Sequence, residues 1–461
     1  MTVELEFCGA AGEVTGSMYV VRTGGHTIIL ECGLIQGSKS AETRNADPFP
    51  FAVNEVDAVV LSHAHIDHSG RVPLLVKRGY EGPIYTQNAT RALCEIMLPD
   101  SGYLNEKDAE WSNKRRRAEG RPRVEPLYTL DDARNCLTQF ESARYEEPIM
   151  VVPGATATFH DAGHILGSSI VELDFTNNGN PRKLVFSGDL GYRDAPVMNY
   201  PAVLQEADTV LMESTYGDRL HRPFDETIEE LTGVFEKASA SQGNIMIPAF
   251  TVGRTQDLLY LMAEHYDEWN LNDWHIFLDS PMGIEATETY SHFRHLYGAR
   301  LFGPDSHLPD LPNFHTTLTS QESMVINKLR SGAIIIAGSG MMSGGRIRHH
   351  LKNNIGNPAA HLVIVGYQAS GTLGRRIVDG ADEIRFFGET FPVRASIHTI
   401  GGLSAHADQK DLVHWYGNFA SQPPLYLVHG EPRAQKALAR ELESSGDVPV
   451  HIAKRGQVVN L

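Results

Sequence analysis

Cysteine is scarce in this chain: Cys8, Cys32, Cys94 and Cys136 stand singly, with no CxxC pair. That excludes a disulfide framework and reads as reduced thiols in a cytoplasmic protein. Long apolar runs are missing too. Ala333-Ile334-Ile335-Ile336-Ala337 has the length of a strand and is too short to span a membrane. The N-terminus, Met1 to Phe7, lacks a basic region followed by an apolar one, which excludes a signal peptide. Positive charge is in deficit, with 40 Lys and Arg against 57 Asp and Glu and a net charge of −17. Broad nonspecific binding to nucleic acid needs a basic surface and is disfavoured, although an enzyme whose positive field is confined to a metal cleft is not. The local exception is Lys114-Arg115-Arg116-Arg117, followed by Arg121 and Arg123. It reads as a solvated helix face or loop in preference to an RNA contact. There is no repeat, low-complexity tract or long linker.

What is present is a chain of 461 residues, long for one core and suggestive of two domains, with 41% hydrophobic and 21% charged residues. Strand-like runs recur, among them Thr27 to Leu30, Ala58 to Leu61, Leu184 to Phe186, Thr209 to Met212, Ile245 to Ile247, Ala333 to Ala337 and Pro424 to Val428. Helical stretches such as Asp225 to Ala238 and Thr255 to Tyr266 lie between them, which predicts an α/β architecture. Polar residues follow the strands: Glu31, His63, Asp189, Glu213 and His429. Sites in α/β sheets assemble at the carboxyl ends of strands, so these five read as one site.

The densest signal is Ser62-His63-Ala64-His65-Ile66-Asp67-His68-Ser69-Gly70, three imidazoles and a carboxylate directly after an apolar strand. Neutral imidazole and carboxylate suit a borderline metal such as zinc. The run supplies more donors than one tetrahedral ion needs beside its water, which hints at two metals and a hydrolytic site. His164 lies between glycines in Gly163-His164-Ile165-Leu166-Gly167, either a ligand loop or an ordinary loop histidine. Asp189, in Ser187-Gly188-Asp189, taken alone reads as a turn or cap, and His429 alone is equally ambiguous. His349-His350 should not share an ion, because adjacent helical positions diverge by about 100°.

Taken in order, Cys32-Gly33, His63-x-His65-x-Asp67-His68, His164 and Ser187-Gly188-Asp189 resemble the successive motifs of the metallo-β-lactamase fold. The stretches Glu213 to Arg219, Gly253 to Asp257, Asp279 to Met282, Gly338 to Arg346 and Gly402 to Asp408 resemble the inserted β-CASP domain. The likeness is to the RNA-processing branch, which includes the endonuclease subunit of the pre-mRNA 3′-end machinery and its prokaryotic relatives. It implies an αββα metallo-β-lactamase sandwich, from residues 1–206 and 390–461, and an inserted α/β β-CASP domain over 207–389.

The resemblance further implies that His63, His65 and His164 hold one zinc and that Asp67, His68 and His429 hold a second. Asp189 would bridge them, with a shared water or hydroxide as nucleophile, so Asp67 and Asp189 count as catalytic positions too. His406 corresponds to the histidine that meets the scissile phosphate and protonates the leaving group, and Glu213 to the acid that orients it. Histidine at 429, where the DNA-repair branch typically has valine, points to RNA. Arg254, Arg346 and Ser404 are candidate phosphate contacts; the two arginines read equally well as pins between domains. The implied activity is a zinc-dependent RNA phosphodiesterase, internal or 5′-to-3′. Manganese stays open in place of zinc, and so does assembly as a homodimer or within an RNA-processing complex. The alternatives are hydrolysis of DNA, hydrolysis of a small ester or thioester, and an inactive RNA-binding scaffold.

One departure stands out: Glu31 occupies a position where the family usually has aspartate, a group behind the histidine loop. We expect Glu31 to serve in its place. The chain is also read as lacking the N-terminal RNA-binding extension of archaeal relatives, so RNA must be gripped by the cleft itself or by another subunit.

Overall fold

In the strand Glu4–Gly9, Leu5 and Phe7 are fully buried while Glu4 and Glu6 are partly exposed, the period-two pattern of a strand with one covered face. The computed structural model to which it belongs describes residues 3–177, 180–298, 311–369, 371–444, 446 and 448–461. Its first seven-stranded sheet runs in the order Val458–Asn460, Glu4–Gly9, Met18–Thr23, His26–Leu30, Ala58–Val60, Ile84–Gln87 and Phe140–Ala143. Pairing is antiparallel up to His26–Leu30 and parallel beyond it. A second seven-stranded sheet runs Val450–Ile452, Leu425–Val428, Thr209–Glu213, Asn180–Phe186, Ser169–Asn177, Ala155–Asp161 and Ile149–Val152.

The apolar faces of these sheets meet. Phe7, Tyr19, Leu30 and Val60 of the first pack among Phe159, Val171, Phe186, Leu211 and Val428 of the second, with the Tyr19 and Phe186 rings edge to face at 5.4 Å. Helices Gln409–Tyr416 and Pro432–Ser444 cover the second sheet through Leu412, Trp415, Leu438 and Leu442. The long helix Asn88–Ala118 packs on strands Ile84–Gln87 and Phe140–Ala143 of the first. This is the αββα sandwich that the resemblance implies.

The chain divides into two compact units. The sandwich comprises Met1–Arg193, Tyr200–Leu220 and His406–Leu461; the second unit comprises Asp194–Asn199 and His221–Ala405. These limits differ from the expected 1–206, 207–389 and 390–461, for reasons of strand pairing. Thr209–Glu213 is a central strand of the sandwich, parallel to both Asn180–Phe186 and Leu425–Val428. Ser396–Thr399 instead pairs in parallel with His361–Ile364 in the second unit.

Taken by itself, the second unit is a six-stranded parallel sheet, ordered Phe314–Thr316, His275–Leu278, Ala333–Ala337, Ile245–Pro248, His361–Ile364 and Ser396–Thr399. Strands of such a sheet, covered on both faces, are apolar throughout, as Ala333–Ala337 is. The helices expected over Asp225 to Ala238 and Thr255 to Tyr266 form as Phe224–Ser241 and Arg254–Glu264. His349 and His350 diverge as the helical period requires. His349 stacks on Phe387, whereas His350 is buried against the Asp279 carboxylate at 2.6 Å. Among the described residues, no helix is long and apolar enough to cross a membrane.

Candidate metal centre

The site is assembled from strand ends of the sandwich. Glu31, His63, Asp189 and His429 each follow a strand by one to three residues, Glu213 is the last residue of its own, and His164 lies in the loop between Ala155–Asp161 and Ser169–Asn177. Backbone bonds lace these turns together: Cys32 N–H donates to His68 O at 2.7 Å and Leu34 N–H to Ile66 O at 2.8 Å. Gly33 is required here, because a Cβ on it would stand 1.6 Å from the Asp67 carbonyl oxygen. The turn carrying Asp189 meets the His164 loop in the same way, with Gly191 N–H on Ala162 O at 2.7 Å. Glu31 and His429 both adopt left-handed backbone, φ 63° and 47°. That conformation is uncommon outside glycine, and such strain concentrates at functional sites.

Seven donors then converge as two overlapping groups. In the first, His65 Nδ1 lies 3.1 Å from both His63 Nε2 and His164 Nε2, and Asp189 Oδ2 lies 3.5 and 3.6 Å from those two nitrogens. In the second, His68 Nε2 and His429 Nε2 are 3.1 Å apart. Asp67 Oδ2 is 3.5 Å from His429 Nε2 and 3.9 Å from His68 Nε2, and Asp189 Oδ1 is 3.3 Å from His68 Nε2. Donors about 2.0–2.1 Å from a tetrahedral zinc stand about 3.3 Å from one another, so both groups have the spacing of a coordination shell.

Hydrogen bonding does not account for this arrangement. An imidazole nitrogen has one in-plane partner, yet His65 Nδ1 faces two; among the described residues, buried Asp189 Oδ1 has no hydrogen-bond partner. A cation within each group would satisfy the donors of that group at once. The protonation states agree. Burial holds His63 well below the ordinary imidazole range and His65 down to about 4, leaving both neutral, as ligation needs. Burial would lower His68 as well, but Asp189, then Asp67, outweigh it and favour its protonated form, a proton that a divalent ion held by these residues would replace. The donor set fits metal.

Glu31 lies directly behind both groups. Its Oε1 accepts from Ser62 N–H at 2.5 Å, and its Oε2 accepts from Ser62 Oγ at 3.0 Å and His68 Nδ1 at 2.5 Å. Ser62 Oγ in turn sits 2.9 Å from His63 Nδ1. One carboxylate thus orients a candidate ligand of each group, and with a metal on His68 Nε2 it would fix that ring's tautomer and raise its basicity. Gln at this position has an NH2 that must face either Ser62 N–H or His68 Nδ1–H, a donor against a donor. Glu31→Gln should therefore lower metal affinity about 10- to 100-fold, read by competition with a chromogenic chelator. Unchanged affinity would remove Glu31 from this role.

Beside the metal donors stands a second pair. His406 Nδ1 lies 3.2 Å from Glu213 Oε1, whose carboxylate also accepts from Leu190 N–H at 2.7 Å. Glu213 is fully buried, whereas His406 remains partly exposed, and its ring sits 4.5 Å from that of His164. Burial would lower the His406 pKa, but Glu213 and then Asp189 overcome that and raise it to about 9. The structure thus brings His63, His65, Asp67, His68, His164, Asp189, His429, Glu31, Glu213 and His406 together within one unit.

Arg254, Arg346 and Ser404 belong to the other unit. The Arg346 guanidinium donates to Asp279 Oδ1 at 2.7 Å, Thr317 O at 2.9 Å and Leu318 O at 2.7 Å, all within that unit. Arg254 pairs with Asp257 at 3.4 Å. Sequence reasoning assigned no role to Ser62, nor to Thr215, whose Oγ1 lies 3.0 Å from His429 Nδ1. Ser168, whose Oγ accepts from His164 N–H at 3.0 Å, was likewise not singled out. Their only sequence signal is adjacency to a motif.

Comparison with known proteins agrees with this architecture. Residues 11–129 match the metallo-beta-lactamase superfamily, 255–377 the Beta-Casp domain, and 390–453 the Zn-dependent metallo-hydrolase RNA specificity domain. The chain is 38% identical over 464 residues to Ribonuclease TTHA0252 of Thermus thermophilus, covering 98% of each protein. It is 29% identical to Transcription termination factor FttA of Methanocaldococcus jannaschii, over 93% of this chain and 67% of that one. A crystal structure of a protein of unknown function from Enterococcus faecalis superposes over 100% of both chains, with a TM-score of 0.56 and 13% identity, a likeness of fold alone. The sandwich, the inserted domain and the near full-length match place this chain in the β-CASP family of the metallo-β-lactamase superfamily.

Proposed function

We propose that the chain is a zinc-dependent ribonuclease whose metal centre holds two ions. One lies among His63, His65 and His164, the other among Asp67, His68 and His429, with Asp189 shared between them. The observation that carries this reading is the paired donor groups joined through the two oxygens of Asp189, with an imidazole–carboxylate pair alongside. The ribonuclease name of the Thermus relative and the RNA-specificity match over residues 390–453 support RNA as the substrate. The catalytic domain is taken to be the sandwich unit, and the β-CASP domain the second unit.

When bound, zinc supplies Lewis acidity at the scissile phosphate and makes water nucleophilic near neutral pH. The chain's own residues divide the remaining work. Glu31 and Thr215 hold the His68 and His429 rings in register, and Ser168 fixes the backbone of the His164 loop. Glu213 accepts a hydrogen bond from His406 Nδ1–H and favours the imidazolium, so the proton on Nε2 can pass to the departing ribose oxygen.

A thioester is a weaker substrate reading, since a thiolate leaves without the proton that the His406–Glu213 pair would supply, and a small ester is weaker because the match over residues 390–453 is to an RNA specificity domain. An inactive scaffold is disfavoured by the filled donor set. Incubating the protein with end-labelled RNA, single-stranded DNA and a thioester, each with and without chelator, tests all of these. RNA should be cut in preference to the others, and chelator should stop it. Faster turnover of DNA or thioester, or cleavage indifferent to chelator, would overturn the assignment.

A further inference from the structure

The helix Asn88–Ala118 carries a feature that neither the core nor the metal centre uses. Tyr103, Lys107, Trp111 and Arg115 recur at intervals of four, so they form one stripe along the helix. Aromatic and cationic side chains alternate along it, and they touch. Lys107 Nζ lies 5.5 Å from the Tyr103 ring centroid, and the Arg115 guanidinium 6.0 Å from that of Trp111. Trp111 is 65% exposed and Tyr103 47%, whereas the other three tryptophans, Trp269, Trp274 and Trp415, are 5% exposed or less. A large aromatic so exposed loses nothing by being covered and gains by stacking.

Charge around the stripe runs against that of the whole molecule. Between Lys107 and Arg123 there are seven Lys and Arg against three Asp and Glu, in a chain of net charge −17. The segment after the helix is folded back on it, with Asn113 Nδ2 on Val124 O at 2.9 Å and Val124 N–H on Asn113 Oδ1 at 2.8 Å. This return holds Arg121 and Arg123 close to the basic run Lys114 to Arg117. The helix is also tied to the metal centre, since Thr90 Oγ donates to Gly167 O, in the His164 loop, at 2.6 Å. At 1.5 Å per residue the stripe begins about 20 Å along the helix from that tie, and its two rings are about 12 Å apart.

We infer that this stripe is a docking surface for single-stranded RNA. Bases stack on Tyr103 and Trp111 while phosphates meet Lys107, Arg115 and the basic run beside them. Alternating π-faces and cations are what a single strand offers complements to, and a protein partner would not call for a local excess of positive charge. The inference rests on the reading of the chain as an RNA enzyme and adds where substrate is held outside the metal centre.

Trp111, as the exposed tryptophan of the four, makes the test direct. Full-length protein, held inactive with chelator, is titrated with an unlabelled single-stranded RNA of about 20 nucleotides while tryptophan emission is followed. Quenching that saturates is expected. A Tyr103→Ala, Trp111→Ala double variant should bind labelled RNA at least about tenfold more weakly by anisotropy. Changing Arg115 and Arg117 to Gln should shallow the salt dependence of binding. Melting and zinc content of each variant, measured alongside, establish that it folds. Unquenched emission with RNA bound, or equal affinity in the double variant, would overturn the inference. So would loss of a dimer by light scattering without loss of RNA affinity, which would give the stripe to a second copy of the chain. Parallel cleavage assays with metal restored separate the two readings. Cleavage without quenching removes the docking surface alone, and quenching without cleavage removes the ribonuclease assignment alone.

Discussion

Replacing Asp189 by Ala should abolish RNA cleavage and lower bound zinc from the proposed level of about two per chain to well under one, read by elemental analysis after gel filtration. The expectation follows from how the carboxylate is divided. Oδ2 stands with His63 and His164 in the first group, and Oδ1 with His68 in the second. Among the described residues, only Asp189 stands as a donor within both groups, so its loss removes a donor from each and leaves the imidazoles without a shared negative charge between them. Asp67→Ala supplies the contrast. Asp67 Oδ2 approaches His68 and His429, and its removal should spare the ion among His63, His65 and His164. One zinc retained there, against almost none in Asp189→Ala, is the expected signature of a shared ligand. Two zinc per chain in Asp189→Ala would mean that the groups load independently, and the bridged reading would fall.

Much of this site was legible before the fold was known, and the reasons are physical. Candidate ligands announce themselves by residue type: three imidazoles and an acid immediately after the strand Ala58–Val60 have no packing purpose. Strand ends are legible as well, which is why Glu31, Asp189, Glu213 and His429 could be grouped although they lie far apart in the chain. Ser62 and Thr215 were not legible, because a hydroxyl that orients an imidazole looks like any other until the ring is placed beside it. The pairing of Arg346 with Asp279 was not legible either, because the two stand 67 residues apart and nothing local marks it. The limits of the two compact units differ from the expected domain limits for the same reason. Whether Thr209–Glu213 or Ser396–Thr399 joins one sheet or another depends on partners distant in sequence. The stripe on Asn88–Ala118 could be read as charge from sequence, but its aromatic spacing acquires meaning only once the helix and its exposure are known.

His406→Ala should slow RNA cleavage about 10²- to 10⁴-fold while zinc content stays at the level of the unaltered protein. The Nδ1 atom of His406 faces Glu213, so the ring is held from behind, and the part proposed for it is to deliver the Nε2 proton to the departing oxygen. That role makes a further demand that simple binding does not. A ribose oxygen leaves poorly as an alkoxide and needs the proton, whereas a nitrophenolate leaves without one. Against a nitrophenyl phosphodiester the same variant should therefore lose less than about tenfold. An equal loss on both substrates would assign His406 to phosphate binding, and lost zinc would assign it to the metal centre itself, to which Asp189 Oδ2 connects it at 3.8 Å. Glu213 is a poorer place to put the question. Its carboxylate also accepts from Leu190 N–H at 2.7 Å, so altering it disturbs the turn that carries Asp189. His406 isolates proton delivery from the geometry of the metals, and the dependence on leaving group decides whether that delivery is its function.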